Sequence, residues 1–220
     1  MIPPHEKGKV RWPDQRHLDL ERLTVSIQLQ TIVDDFAHAL KVVDSNSPIG
    51  KSKNRTYKPG VGPLTEAQAM KYDLDVLKAE KPGLYLDAGP VKYPGASAYC
   101  DLVLPGSWAL EFKLLRPYGD NDKPAEHWSE NILHPYPGNT SSIGDGLKLK
   151  ASTFQERKGL IVFGFEHSPP RLDLEIVVHS FELITRQILG ISIGQRCVAT
   201  FGELIHPTHQ QGRVYGWELI

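Results

Sequence analysis

Apolar residues recur along the chain with two different periods. Val25, Leu29, Ile32, Val33, Phe36, Leu40 and Val43 fall on one helical stripe, which predicts a first helix over residues 18–43. Thr65 with Gln68 three residues on has the form of a capping box and predicts a second helix to about residue 78, ended by Pro82-Gly83. Shorter strand-like runs follow at 84–87, 99–104 and 108–115. Ser142 with Asp145 three residues later predicts a helix over 142–157. The run 159-GLIVFGFE-166 is continuously apolar and reads as a central buried strand. Residues 172–189 read as a helix, although the β-branched 176-IVV-178 leaves a strand open at its start. Residues 196–205 and 213–219 read as closing strands. The order predicts an α/β fold, a mixed central sheet flanked by helices.

Two segments interrupt this pattern. Residues 44–63 are a loop rich in Gly, Pro, Ser and Asn. Residues 116–141 are a long insertion with prolines at 117, 124, 135 and 137. A loop of that length in a compact domain is usually functional or partly disordered. Residues 1–17 are polar with three prolines and read as an extended arm, leaving 18–220 as a single domain.

Composition narrows the partners. The 220 residues are 40% hydrophobic with a net charge of −1, enough to bury one substantial core. The 25 basic residues nearly balance the 26 acidic ones, so no global field draws the chain to nucleic acid and any basic footprint is local. Candidates are Lys51, Lys53, Arg55 and Lys58 in 51-KSKNRTYK-58, which has no acid and one tyrosine, together with Lys148 and Lys150. Phosphate contacts of this kind carry sequence-independent affinity, though most such runs are only solvated loops. The insertion adds His127, Trp128, His134 and Tyr136, which suit a DNA-facing flap or a dimer contact. Its Asp120, Asp122, Glu126 and Glu130 argue against a simple phosphate-binding surface.

Cys100 and Cys197, in apolar runs with no CxxC pair, read as reduced core thiols of a cytoplasmic protein. The N-terminus has no apolar h-region and no apolar run approaches roughly 18 residues, so neither secretion nor a membrane is expected. His206 and His209 flank Pro207-Thr208 without a cysteine or carboxylate cluster, a poor zinc set. No P-loop, GxSxG elbow or dinucleotide fingerprint is present, so no nucleotide cofactor is expected.

The stretch 100-CDLVLPGSWALEFKLLR-116 carries the chemistry. Leu102, Leu104, Trp108, Leu110, Phe112 and Leu114 are apolar at even positions, and Asp101, Glu111 and Lys113 are charged at odd ones. For both apolar sets to face one core, opposed residues of the hairpin must sum to an even number, which requires an odd-length turn such as Pro105-Gly106-Ser107. That register sets Asp101 opposite Glu111, with Lys113 next along the same face. Opposed carboxylates repel, an objection that a bound divalent cation removes. A lone Glu-x-Lys on a strand is usually a solvated face. The added aspartate and the parity make this one a candidate site.

Asp101, a nine-residue gap and Glu111-Phe112-Lys113 resemble the PD-(D/E)xK nuclease superfamily, which includes restriction endonucleases and nucleases of DNA repair and phage defence. Its core order of helix, three-stranded meander, helix and strand matches the predicted elements over some 130 to 150 residues. Cys100 stands where the family has its proline, the 116–141 insertion separates the lysine strand from the next helix, and a Gln-x-x-x-Tyr signature is absent. The resemblance implies a restriction-endonuclease-like fold and a Mg²⁺-dependent endonuclease acting on DNA, with Mn²⁺ as a substitute metal. It implies Asp101, Glu111 and the Phe112 carbonyl as metal ligands and Lys113 beside the attacking water. It also implies a homodimer, since cutting two strands needs two sites, and in some branches a further carboxylate from the first core helix, here Asp34 or Asp35. The alternative is a non-catalytic nucleic-acid-binding or assembly subunit that retains the fold.

Overall fold

The structure, a computed structural model, describes residues 27–52, 55–136, 140–188 and 190–220, and only the backbone at 51, 52 and 55. The expected arm at 1–17, Val25 and Lys53 lie outside the described residues. The first helix, α1, runs Leu29–Ser45 behind an extended Gln28, and the part expected at 18–26 also lies outside the described residues. A two-residue hairpin, β1 Lys51–Ser52 and β2 Arg55–Thr56, interrupts the following loop. The capping box at Thr65 is formed and opens α2, Glu66–Glu80.

The strand expected at 84–87 is instead a helical turn, α3, Pro82–Tyr85. Pro82 at its first position is pre-set for helix, and the edge strand forms later as β3, Gly89–Lys92. Strands β4, Tyr99–Leu104, and β5, Trp108–Leu115, have the expected bounds. The insertion contains one short helix, α4, Glu130–Leu133. Helix α5, Ser142–Ala151, is capped by Ser141 rather than Ser142 and ends early, because Ser152 is extended and the chain enters β6, Arg157–Glu166. Helix α6, Glu175–Gln187, is helical through its β-branched start. Strands β7, Cys197–Phe201, and β8, Gln211–Leu219, close the fold.

The main sheet has the order β3-β4-β5-β6-β8-β7. Strands β5 and β6 are parallel and the other pairs antiparallel. A parallel pair needs a crossover, and this one carries α4 and α5. Helices α1 and α2 cover one face, where Phe36, Leu102, Leu110, Phe112 and Phe163 are buried. Helices α5 and α6 cover the other, where Val103, Ala109, Leu115, Val162 and Phe181 are buried. The odd-numbered face of the β4–β5 hairpin is therefore covered rather than solvated. Val103, Ala109 and Leu115 share it and build a second core around the charges. No described helix is long and apolar enough to cross a membrane.

Within α2, Asp73 is fully buried, and neither carboxylate oxygen has a hydrogen-bond partner. Burial pushes its carboxyl well above the usual range. The folded state thus holds the proton more tightly than the unfolded chain, and stability falls as pH rises above the ordinary aspartate value of 3.8. Asp73→Leu is expected to raise stability at neutral pH by about 1–3 kcal/mol and to remove that slope, as read by urea unfolding across pH. Unchanged stability would mean that Asp73 is compensated.

Candidate active site

The three-residue turn forms with Gly106 at φ 71°, the left-handed conformation such a turn requires. Leu102 opposes Leu110, Val103 opposes Ala109 and Leu104 opposes Trp108. Each pair sums to the same even number, as the parity argument demands. The ladder stops there. Between β3 and β4 the register slips by one residue across 100–103, a bulge of the kind that re-aims side chains near active sites. The recorded β4–β5 pairs end at Leu102 and Leu110, one step short of Asp101 and Glu111. The Asp101 carboxylate turns inward, where one oxygen accepts the Phe112 N–H at 2.8 Å, and the carboxyl of Glu111 hydrogen-bonds to it.

Glu111 is only 3% exposed. It accepts a short hydrogen bond from the Tyr93 hydroxyl, and Lys148 Nζ lies 3.1 Å away. Burial first, and then Asp101, push its carboxyl up to about 8 against the Tyr93 bond. Lys113 Nζ lies 2.8 Å from Asp145 and 3.2 Å from Glu66. It also donates to the Phe112 carbonyl at 2.9 Å, so the expected third metal ligand is engaged by the neighbouring lysine. Burial opposes the charge of Lys113, but Glu66 and Asp145 outweigh it and hold the ammonium above its ordinary value. Burial raises Glu66, whose second oxygen accepts the Leu114 N–H at 3.2 Å.

The sequence reading thus found three members of a larger cluster. Lys148 joins it, paired with Glu111 and with Asp145 at 2.8 Å. Lys150 does not; its charge acts on Lys158, near the start of β6. Asp34 and Asp35 do not either. They lie on α1, across the sheet, where Asp34 binds Gln30 and buried Asp35 binds Tyr85 and Lys81. The helix-borne carboxylate is Glu66, and its signal was the Thr65 capping box, which places the next residue in the first turn of α2. The sequence marks Asp145 only as a helix-start residue, and nothing in it marks Tyr93. Lys58 is exposed near His206, away from the carboxylates, and the side chains of Lys51, Lys53 and Arg55 lie outside the described residues. His206 and His209 are buried and stacked 4.7 Å apart, and His209 Nε2 donates to the Tyr118 carbonyl at 2.9 Å.

Among the described residues no group of three or more His, Cys, Asp or Glu stands ready around a metal ion. The donor chemistry nevertheless fits Mg²⁺. Four carboxyls (Glu66, Asp101, Glu111, Asp145) meet two ammonium groups (Lys113, Lys148), a formal charge of −2 when all are ionised. Glu111 relieves that surplus by keeping a proton to about pH 8. Mg²⁺ needs only one or two protein carboxylates beside water and phosphate oxygens, which Asp101 and Glu111 would supply.

This arrangement predicts a pH dependence. Because the folded pKa of Glu111 lies above its ordinary 4.5, its contribution turns destabilising as pH rises from that value and is complete above about 8. In EDTA, Glu111→Gln is expected to be more stable than wild type well above pH 8, by on the order of a few kcal/mol, and to lose in thermal unfolding the part of the downward slope across this window that Glu111 adds to that of Asp73. A parallel pH profile for both proteins would refute the assignment.

Comparison with known protein families, with characterised proteins and with solved structures gives no match to this chain.

Proposed function

We propose that the protein is a Mg²⁺-dependent endonuclease of restriction-endonuclease-like fold that hydrolyses phosphodiester bonds of DNA. The observation that carries the reading is the contact between the Asp101 and Glu111 carboxyls with Lys113 beside them on β5. Asp101 and Glu111 would hold the metal, which when bound polarises the phosphoryl oxygen and lowers the pKa of its water. Lys113, kept charged by Glu66 and Asp145, acts as a hydrogen-bond donor and a fixed positive charge toward the developing phosphorane rather than as a base. Glu66, raised by burial and beside Lys113, is suited to accept the proton of the attacking water. The new P–O bond forms as the bond to the leaving alkoxide breaks, and that alkoxide takes up a proton.

Glu66 and Asp101 also line a cavity of about 440 Å³ between α2 and β3, bordered by Lys78 and by Lys71, which pairs with Asp75 at 3.6 Å. A homodimer would bring two centres to the two strands of a duplex.

The engagement of both lysines by carboxylates favours a second reading, a non-catalytic nucleic-acid-binding subunit in which the cluster is structural. Incubation with supercoiled plasmid separates the two. The nuclease reading expects nicked and linear products with Mg²⁺ and none in EDTA, and a Mg²⁺-dependent rise in unfolding temperature that Glu111→Ala loses. Absence of both cleavage and the thermal shift favours the second reading.

A further inference from the structure

Just beyond the carboxyl end of β5 the insertion folds over a cavity of about 340 Å³, at the small end of the ~300–1,000 Å³ of ligand sites. The end of a parallel strand pair is where open α/β sheets place ligands. Three aromatic residues line it, Tyr57, Tyr118 and Trp128, with Asp120, Glu126 and Asn131 supplying polar groups. The cavity and the carboxylate cluster share one stretch of chain. Leu114 lines the cavity while its N–H is held by Glu66. Arg116 also lines it, anchored on the carbonyls of Gly62 and Leu64 just before α2.

The chemistry of the lining selects a class of ligand. Aromatic faces favour a flat ring. Asp120 and Glu126 are matched by the Arg116 guanidinium, which interacts with Asp120, and by His127, whose imidazole Glu130 and Glu126 hold above its ordinary value, so the lining has no surplus charge to select an ion. His209 is held neutral, its imidazole driven by burial down to about 3. A neutral planar group with amino hydrogens meets these conditions. Carboxylates accept from exocyclic amines, and an asparagine amide pairs with a base edge. Its phosphate would stay outside, toward Lys113 and Lys148.

We propose that this cavity receives one nucleobase of the cleaved strand, turned out of its stack next to the scissile phosphate and held against Trp128 with its edge toward Asn131, Asp120 and Glu126. This rests on the nuclease reading of the neighbouring cluster. It assigns the insertion a role, that of a base reader, and makes unpaired or easily unstacked DNA the preferred substrate, because turning out such a base costs least.

The test is anisotropy binding in EDTA, which does not depend on hydrolysis. The full chain is titrated with a labelled abasic DNA octamer and with the same octamer carrying one central base. The base is expected to tighten binding roughly 5- to 150-fold, the range for one base stacked on an aromatic side chain. Trp128→Ala should abolish that gain relative to its own abasic affinity, and Trp128→Phe should keep it. No gain from the base, or a gain untouched in Trp128→Ala, overturns the proposal. Free nucleosides that displace the single-base octamer at its own affinity also overturn it, marking a free-nucleoside site instead. Plasmid cleavage with Mg²⁺ is followed in parallel. Cleavage without a base-dependent gain removes the base pocket and leaves the nuclease, and the gain without cleavage removes the nuclease and leaves a base-binding protein.

Discussion

Lys113→Met is expected to slow Mg²⁺-dependent DNA cleavage about 10²–10³-fold, the loss that follows removal of one preorganised positive donor from a transition state. The effect should fall on kcat with KM little changed, because the lysine is placed for charge that develops only as the phosphorane forms. Its setting supports that division. Only 12% of the side chain is exposed, and Asp145 at 2.8 Å and Glu66 at 3.2 Å fix the ammonium. Methionine matches the length of the stem but leaves those two carboxylates facing each other with less positive charge. Some stability will be lost as well, so Lys113→Arg is the companion variant: charge returns, but in a planar fork that does not reproduce a point donor, and only partial recovery is expected. Wild-type kcat in Lys113→Met, measured on plasmid, would sink the assignment of this residue.

The largest structural effect is expected from Phe36→Ala. Phe36 is fully buried, with its ring centroid 5.0 Å from Phe112, 5.8 Å from Phe163 and 6.5 Å from Tyr85. Truncating such a ring costs about 3–5 kcal/mol, which in a chain of this size lowers the unfolding temperature by roughly 6–20 °C. The consequence reaches the candidate site. Phe112 is the residue between Glu111 and Lys113, and its ring also packs on Phe163 at 5.5 Å. With the Phe36 side of that stack gone, β5 is free to shift, and Mg²⁺-dependent cleavage should fall even at temperatures where the variant remains folded. Calorimetric unfolding and cleavage assayed on the same preparation check both. A shift in unfolding temperature below about 3 °C would mean that the cluster relaxes around the loss.

Much of the fold was legible because local signals are strong where they act over a few residues. The Thr65 capping box, the bounds of β4 and β5, and the apolar run of β6 all appear as the residues suggest. The failures come where a distant partner decides. Residues 84–87 are apolar enough for a strand, yet Pro82 nucleates a turn and, among the described residues, no strand pairs with them. The 142–157 helix stops at Ala151 because the chain must enter β6 in parallel with β5. The hairpin parity was readable because it depends only on turn length and alternation. The bulge at Asp101 was not, because it arises from the pairing of β4 with β3 across an irregular edge.

By itself, the sequence determined that Asp101, Glu111 and Lys113 stand on one β-hairpin with Phe112 facing the core, since a pleat of period two admits no other arrangement of those residues. Only the tertiary structure decided that the charged face is buried beneath α5. The same packing brings Glu66, Asp145, Lys148 and Tyr93 in from three other segments and gathers Tyr57, Tyr118 and Trp128 around one cavity. Those meetings depend on which helix covers which face of the sheet. That choice is made by the summed burial of two cores, and no short stretch of residues carries a record of it.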